Sequence, residues 1–69
     1  MKKAKTIKRM REDLGLSQQG LSDASGVSRS MVSAIERGDR FPSRATIEAI
    51  AAGLDVSVTK VLHALYVGG

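Results

Sequence analysis

Ser17, Ser28 and Ser57 each follow an apolar residue and precede another four positions on: Leu16 and Leu21, Val27 and Val32, Val56 and Val61. A serine accepting from the backbone N–H three residues later satisfies one of the orphan donors at a helix start. The apolar pair packs across the first turn and fixes the angle at which the chain enters. The pattern therefore predicts three helix starts. A fourth is expected at Ser43, directly after Pro42, with Ile47, Ile50, Ala51 and Leu54 on one face and Gly53 near the helix end. Ahead of these, a helix over about residues 3–14 would align Ile7, Met10 and Leu14, with Gly15 just past its end. The last helix carries Val58, Val61, Leu62 and Leu65. No segment alternates convincingly as a strand. The expected fold is all-α, a compact five-helix bundle.

A chain of 69 residues allows one domain at most. The expected domain spans residues 1–67, with 68–69, Gly68 and Gly69, as a frayed tail. A chain this short buries only about 60% of the surface its unfolded form exposes, so its core is marginal. There is no cysteine, which excludes disulfides and thiolate metal sites. His63 is the one histidine, too few for an imidazole zinc site, and it faces away from the apolar stripe of its helix. Helix packing and self-association remain as sources of stability. No apolar run approaches the roughly 20 residues of a membrane span. MKKAKTIKRM has the charge of an export signal but no apolar segment after it, so a cytoplasmic protein is expected.

Eleven basic residues face seven acidic ones, and ten of the eleven lie at or before Arg44. Such a polarised basic surface suits a polyanion; charge alone equally suits a solvated face. The segment LSQQGLSDASGVSRSMVSAIE, residues 16–36, sharpens the choice. It reads as two short helices joined by a tight turn at Gly26, a helix-turn-helix over about residues 17–36 whose second helix would lie in the DNA major groove. At about 100° per residue, Val32 and Ile35 define the buried side of that helix. Arg29, Ser30, Ser33 and Ala34 lie opposite or flank it, a face small enough to seat in a groove about 12 Å wide.

Arg29 falls in the first turn, where recognition helices meet base edges, and can give two donors to guanine O6 and N7. Its alternative is a solvated helix residue, with Asp23 as a candidate partner. Ser30 and Ser33 can donate or accept, and Ala34 and Met31 can touch a thymine methyl. Met31 equally suits partial core packing. Gln18 and the capping Ser28 start helices and are candidate phosphate contacts, with Gln18 alternatively bracing Arg29. Arg37, Arg40, Arg44 and Lys8 complete the candidate phosphate set. Arg11 and Glu36 are assigned to a structural salt bridge that clamps the recognition helix to the scaffold.

IKRMREDLGLSQQGLSDASGVSRSMVSAIERGDRFPS, continuing through IAAGLDVSVTKVL, resembles the Cro and phage-repressor class of helix-turn-helix proteins, the xenobiotic-response-element type. The strings LGLSQ, SGVSRS and IERGDRFPS carry the match together. The resemblance implies a lambda-repressor-like bundle that binds operators as a dimer. It implies DNA contacts from Gln18, Arg29, Ser30, Ser33 and Ala34, and a salt bridge at Arg11 and Glu36. Gly20 departs from the family's usual glutamate or alanine, at up to about 1 kcal/mol in a helix interior. Ser22 and Ser25 replace alanines at a helix crossing, and their hydroxyls need carbonyls one turn back.

Tyr66 and Val67 fall off the core stripe and, with Leu62 and Leu65, are the expected homodimer seam. A twofold dimer demands a palindromic site. The expected function is a sequence-specific regulator of transcription, a repressor, with double-stranded DNA as partner. The alternative is a protein-interaction module such as an antitoxin, whose main partner is a toxin or another regulator. Neither a small-molecule ligand nor a ligand-sensing or protease domain is expected. The absence of an acid–base pair, a glycine-rich phosphate loop or a metal spacing argues against an enzyme, a cofactor or a metal.

Overall fold

The computed structural model of the chain describes residues 5–66. The described residues form five helices and no strand: α1 (Ile7–Asp13), α2 (Gln18–Ser25), α3 (Arg29–Glu36), α4 (Arg44–Leu54) and α5 (Val58–Tyr66). The four serines cap α2 to α5. The hydroxyl of Ser17 accepts from Gly20 N at 2.9 Å, Ser28 from Met31 N at 3.2 Å, Ser43 from Thr46 N at 3.3 Å and Ser57 from Lys60 N at 3.2 Å. The staple partners Leu21, Val32 and Val61 are fully buried.

The first helix differs from expectation. It begins at Ile7 because Thr6 is its cap, accepting from Arg9 N at 3.1 Å, so residues 5 and 6 lie outside the helix. Lys3, the expected start, lies outside the described residues, as do Val67 and the glycine tail. Leu14 is the residue after the last turn and is half exposed, not part of the buried stripe. α1 ends with Gly15 N donating to the Glu12 carbonyl and Leu16 N to that of Arg11. This pair of bonds is a Schellman closure. Asp13 takes hydrogen bonds from Lys5 and Arg9, and the Lys5 ammonium holds its carboxyl below the ordinary range.

Ile7, Met10, Leu21, Val32, Ile35, Ile47, Ile50, Leu54 and Val61 fill the core. On α5 the buried positions are Val61 and Ala64. Leu62 and Leu65 are half buried against the core, and Val58, at the helix start, is exposed.

Gly53 lies near the end of α4, as expected, one residue before the last. The helix runs on through Leu54 and closes at Asp55, which takes a left-handed conformation at φ 56°, with Val56 N bonded to the Ala51 carbonyl. Gly53 also marks the crossing of α4 over α2. A Cβ built there would lie 2.9 Å from Cβ of Ser25 and 3.1 Å from its backbone. Ser25 fits the crossing because its hydroxyl donates to the Leu21 carbonyl at 2.7 Å, one turn back. Its oxygen also accepts from Val27 N at 3.2 Å. The backbone cannot retreat from a methyl at residue 53 without opening the helix pair. Gly53→Ala should therefore destabilise the fold by about 1–3 kcal/mol. Urea unfolding of the variant checks this, and an unchanged midpoint would contradict the crossing geometry.

Candidate nucleic-acid interface

The turn between α2 and α3 closes on Gly26, whose φ of 76° suits a residue without a Cβ and whose N–H donates to the Ser22 carbonyl at 2.8 Å. α3 then buries Val32 and Ile35 and leaves Arg29 and Ser30 exposed. Ser33 and Ala34 are half exposed on its flanks. Met31 is half buried and packs against the core, which limits what it can offer a ligand. The outward face is thus short side chains headed by one arginine.

Glu36, the last residue of α3, is the anchor. Its side chain is 4% exposed, and that of Arg11 is 9% exposed. Arg11 Nε donates to Glu36 Oε2 at 2.7 Å and Nη2 donates to Oε1 at 3.1 Å, a two-pronged pair. Arg11 Nη1 donates to the Leu16 carbonyl at 2.8 Å. Gln18 Nε2 donates to Glu36 Oε1 at 3.1 Å. One carboxylate thus joins α1, the start of α2 and the end of α3. No buried side-chain polar atom among the described residues lacks a partner. The Glu36 carboxylate also lifts the Arg11 guanidinium above its already high ordinary value, outweighing the opposing effect of burial.

Gln18 therefore braces Glu36 and not Arg29. Asp23 accepts from Gln19 at 2.9 Å, and Arg29 has no ion pair among the described residues. The same holds for Lys8 and Arg40, both exposed. Arg44 lies 3.7 Å from Glu48 at the start of α4, almost fully in solvent. Ser28 Oγ caps α3 and sits 3.4 Å from Ser30 Oγ.

Two groupings go beyond the residue roles read from the sequence. Arg37 donates to Ser33 one turn back and to Asp39, which the turn at Gly38 brings beside it. Tyr66, 79% exposed, meets Phe41, 61% exposed, with ring centroids 6.0 Å apart and planes at 54°. Phe41 lies in the loop before α4, so only the tertiary fold pairs it with α5.

Two short helices across a glycine turn, with the second held at its far end and presenting small polar side chains, define a helix-turn-helix domain. The helix-turn-helix family model matches residues 7–61, and the chain belongs to that family, in its Cro and phage-repressor class. The chain is 43% identical over 51 residues to the HTH-type transcriptional regulator SutR of Escherichia coli (strain K12), covering 74% of this chain and 29% of that protein. It is 38% identical over 55 residues to the uncharacterized HTH-type transcriptional regulator YazB of Bacillus subtilis (strain 168), covering 80% of each. No solved structure matches.

Removing one partner of a buried ion pair strands the other charge, at about 3–5 kcal/mol. Arg11→Ala and Glu36→Ala should each lose most of the stability of so small a fold. The double variant should cost clearly less than the sum of the two, because it leaves no stranded charge. A urea double-mutant cycle measures the coupling, and strict additivity would show that the two side chains act separately.

Proposed function

We propose that this chain is a sequence-specific, double-stranded-DNA-binding regulator of transcription, acting as a repressor on a palindromic operator. α3 enters the major groove as the recognition helix. The observation that carries this reading is the outward face of α3: Arg29 without an ion pair among the described residues at the first turn, followed by Ser30, Ser33 and Ala34. Arg29 reads guanine, and the short residues behind it let the helix sit close to the base edges. Met31 adds a thymine-methyl contact at most through its exposed part. Gln18 and Ser28, with Lys8, Arg40 and Arg44, supply the backbone contacts that fix register, and Arg37 joins them only when released from Asp39 and Ser33. The names of both relatives, regulators of transcription, support the same role. SutR is matched over 29% of its length, so it speaks only for the DNA-binding part.

The chain acts as a homodimer. Support comes from Tyr66 and Phe41, an exposed aromatic pair on a fold with a marginal core. Leu62 and Leu65 adjoin it on α5, and Val67 would extend the seam from outside the described residues. A twofold arrangement sets the two recognition helices about one DNA turn apart, roughly 34 Å.

Selection of bound duplexes from a random pool at near-physiological salt should enrich an inverted repeat. A single unpaired half-site would reject the dimer, and no enrichment would favour a protein partner as the main ligand. With the selected duplex in hand, Arg29→Ala should reduce the preference for it over random DNA by about 1–3 kcal/mol. Equal loss on both DNAs would remove Arg29 from base reading. Arg40→Ala should weaken both duplexes alike and lower the salt slope by about 1.

A further inference from the structure

α3 closes with the same pair of backbone bonds as α1 and α4. Gly38 N donates to the Ile35 carbonyl at 3.1 Å, and Asp39 N donates to that of Ala34 at 2.9 Å. In α1 and α4 the residue in Asp39's position is apolar, Leu16 and Val56, which is the usual partner for such a closure. In α3 it is a carboxylate whose backbone is pinned and whose side chain is turned to another task. Asp39 Oδ2 accepts from Arg37 Nε at 2.8 Å. The same guanidinium reaches back one turn and donates from Nη1 to Ser33 Oγ at 2.6 Å.

We propose that Asp39 is a positioning residue for DNA recognition: it holds Arg37 on Ser33 and away from phosphate. Two consequences follow, both resting on the function proposed above. The positive charge of Arg37 is offset locally, so it adds little to sequence-independent attraction. Ser33 has one lone pair occupied and keeps its O–H to donate, which suits the major-groove acceptors of guanine, adenine N7 or thymine O4 over the cytosine amino group. Asp39 thus trades general affinity for discrimination at the base facing Ser33. Both members of the ion pair are largely in solvent, where such pairs are weak, so the latch is shallow and one substitution opens it.

Binding of a random-sequence duplex should be measured as a function of salt for wild type, Asp39→Asn, Arg37→Ala and the double variant. With Arg37 present, Asp39→Asn should steepen the slope of log affinity against log salt by about 0.9, one additional phosphate contact. In the Arg37→Ala background the same substitution should leave the slope unchanged. An equal steepening in both backgrounds would mean that Asp39 acts only as a repelling charge, and no steepening in either would mean that Arg37 is not held. Either result overturns the latch. A wild-type protein that binds random DNA but selects no sequence would instead reject the function proposed above, while the slopes would still decide the role of Asp39. Failure of wild type to bind any duplex would reject both.

Discussion

The carboxylate of Glu36 is the point on which the rest of the structure turns. It ends the helix that would read DNA, and it is almost completely buried. A buried carboxylate without partners would be prohibitive, so its position is fixed by whatever satisfies it. Arg11 does so with two prongs, and Gln18 supplies a third donor. Arg11 spends its remaining reach on the Leu16 carbonyl in the loop before α2. The orientation of α3 relative to α1 and α2 is therefore set by directional bonds as well as by apolar packing, which alone tolerates sliding.

That constraint matters because the helices cannot stand alone. α2 and α3 have eight residues each, and isolated helices shorter than about 12–15 residues are marginal in water. Capping offsets part of the deficit at their N-terminal ends, and the crossing of α2 under α4 supplies the packing. The crossing is close because Gly53 offers no side chain and Ser25 turns its hydroxyl onto its own helix. Small residues and one clamp thus join elements that are individually weak into one packed unit.

Helix starts were the most legible part of the fold, because a cap is a local bargain between one side chain and the backbone three residues on. Thr6 lacks an apolar residue before it and stands in a basic run, so the pattern that marks the serine caps does not mark this one. Helix ends were less legible. Asp55 closes α4 in a left-handed conformation that a glycine at that position would have advertised. The partner of Gly53, Ser25, is distant in sequence, and no local pattern encodes a crossing. The site divides the same way. Which residues share the outward face of α3 follows from a period of 3.6. What each polar head binds does not: Gln18 reaches Glu36, 18 positions away, only once the chain is folded.

The chemistry of α3 also bears on where discrimination would arise if the helix reads DNA. Only Arg29 has two donors in a fixed fork; Ser30 and Ser33 are permissive, and Ala34 offers a methyl group. A face with one selective residue gains specificity from being held in one register, since a permissive hydroxyl discriminates only when its partner base is brought to one place. In the proposed complex, phosphate contacts and the Glu36 clamp would supply that register from two sides. Arg29, without an ion pair among the described residues, would enter the groove with no protein partner to leave first. Arg37 must first leave Asp39 and Ser33 before it can serve a phosphate. The two arginines on α3 and its cap thus stand in different states, one without an ion pair among the described residues and one already engaged. The difference comes from the turn at Gly38, which brings a carboxylate to the end of an otherwise basic surface.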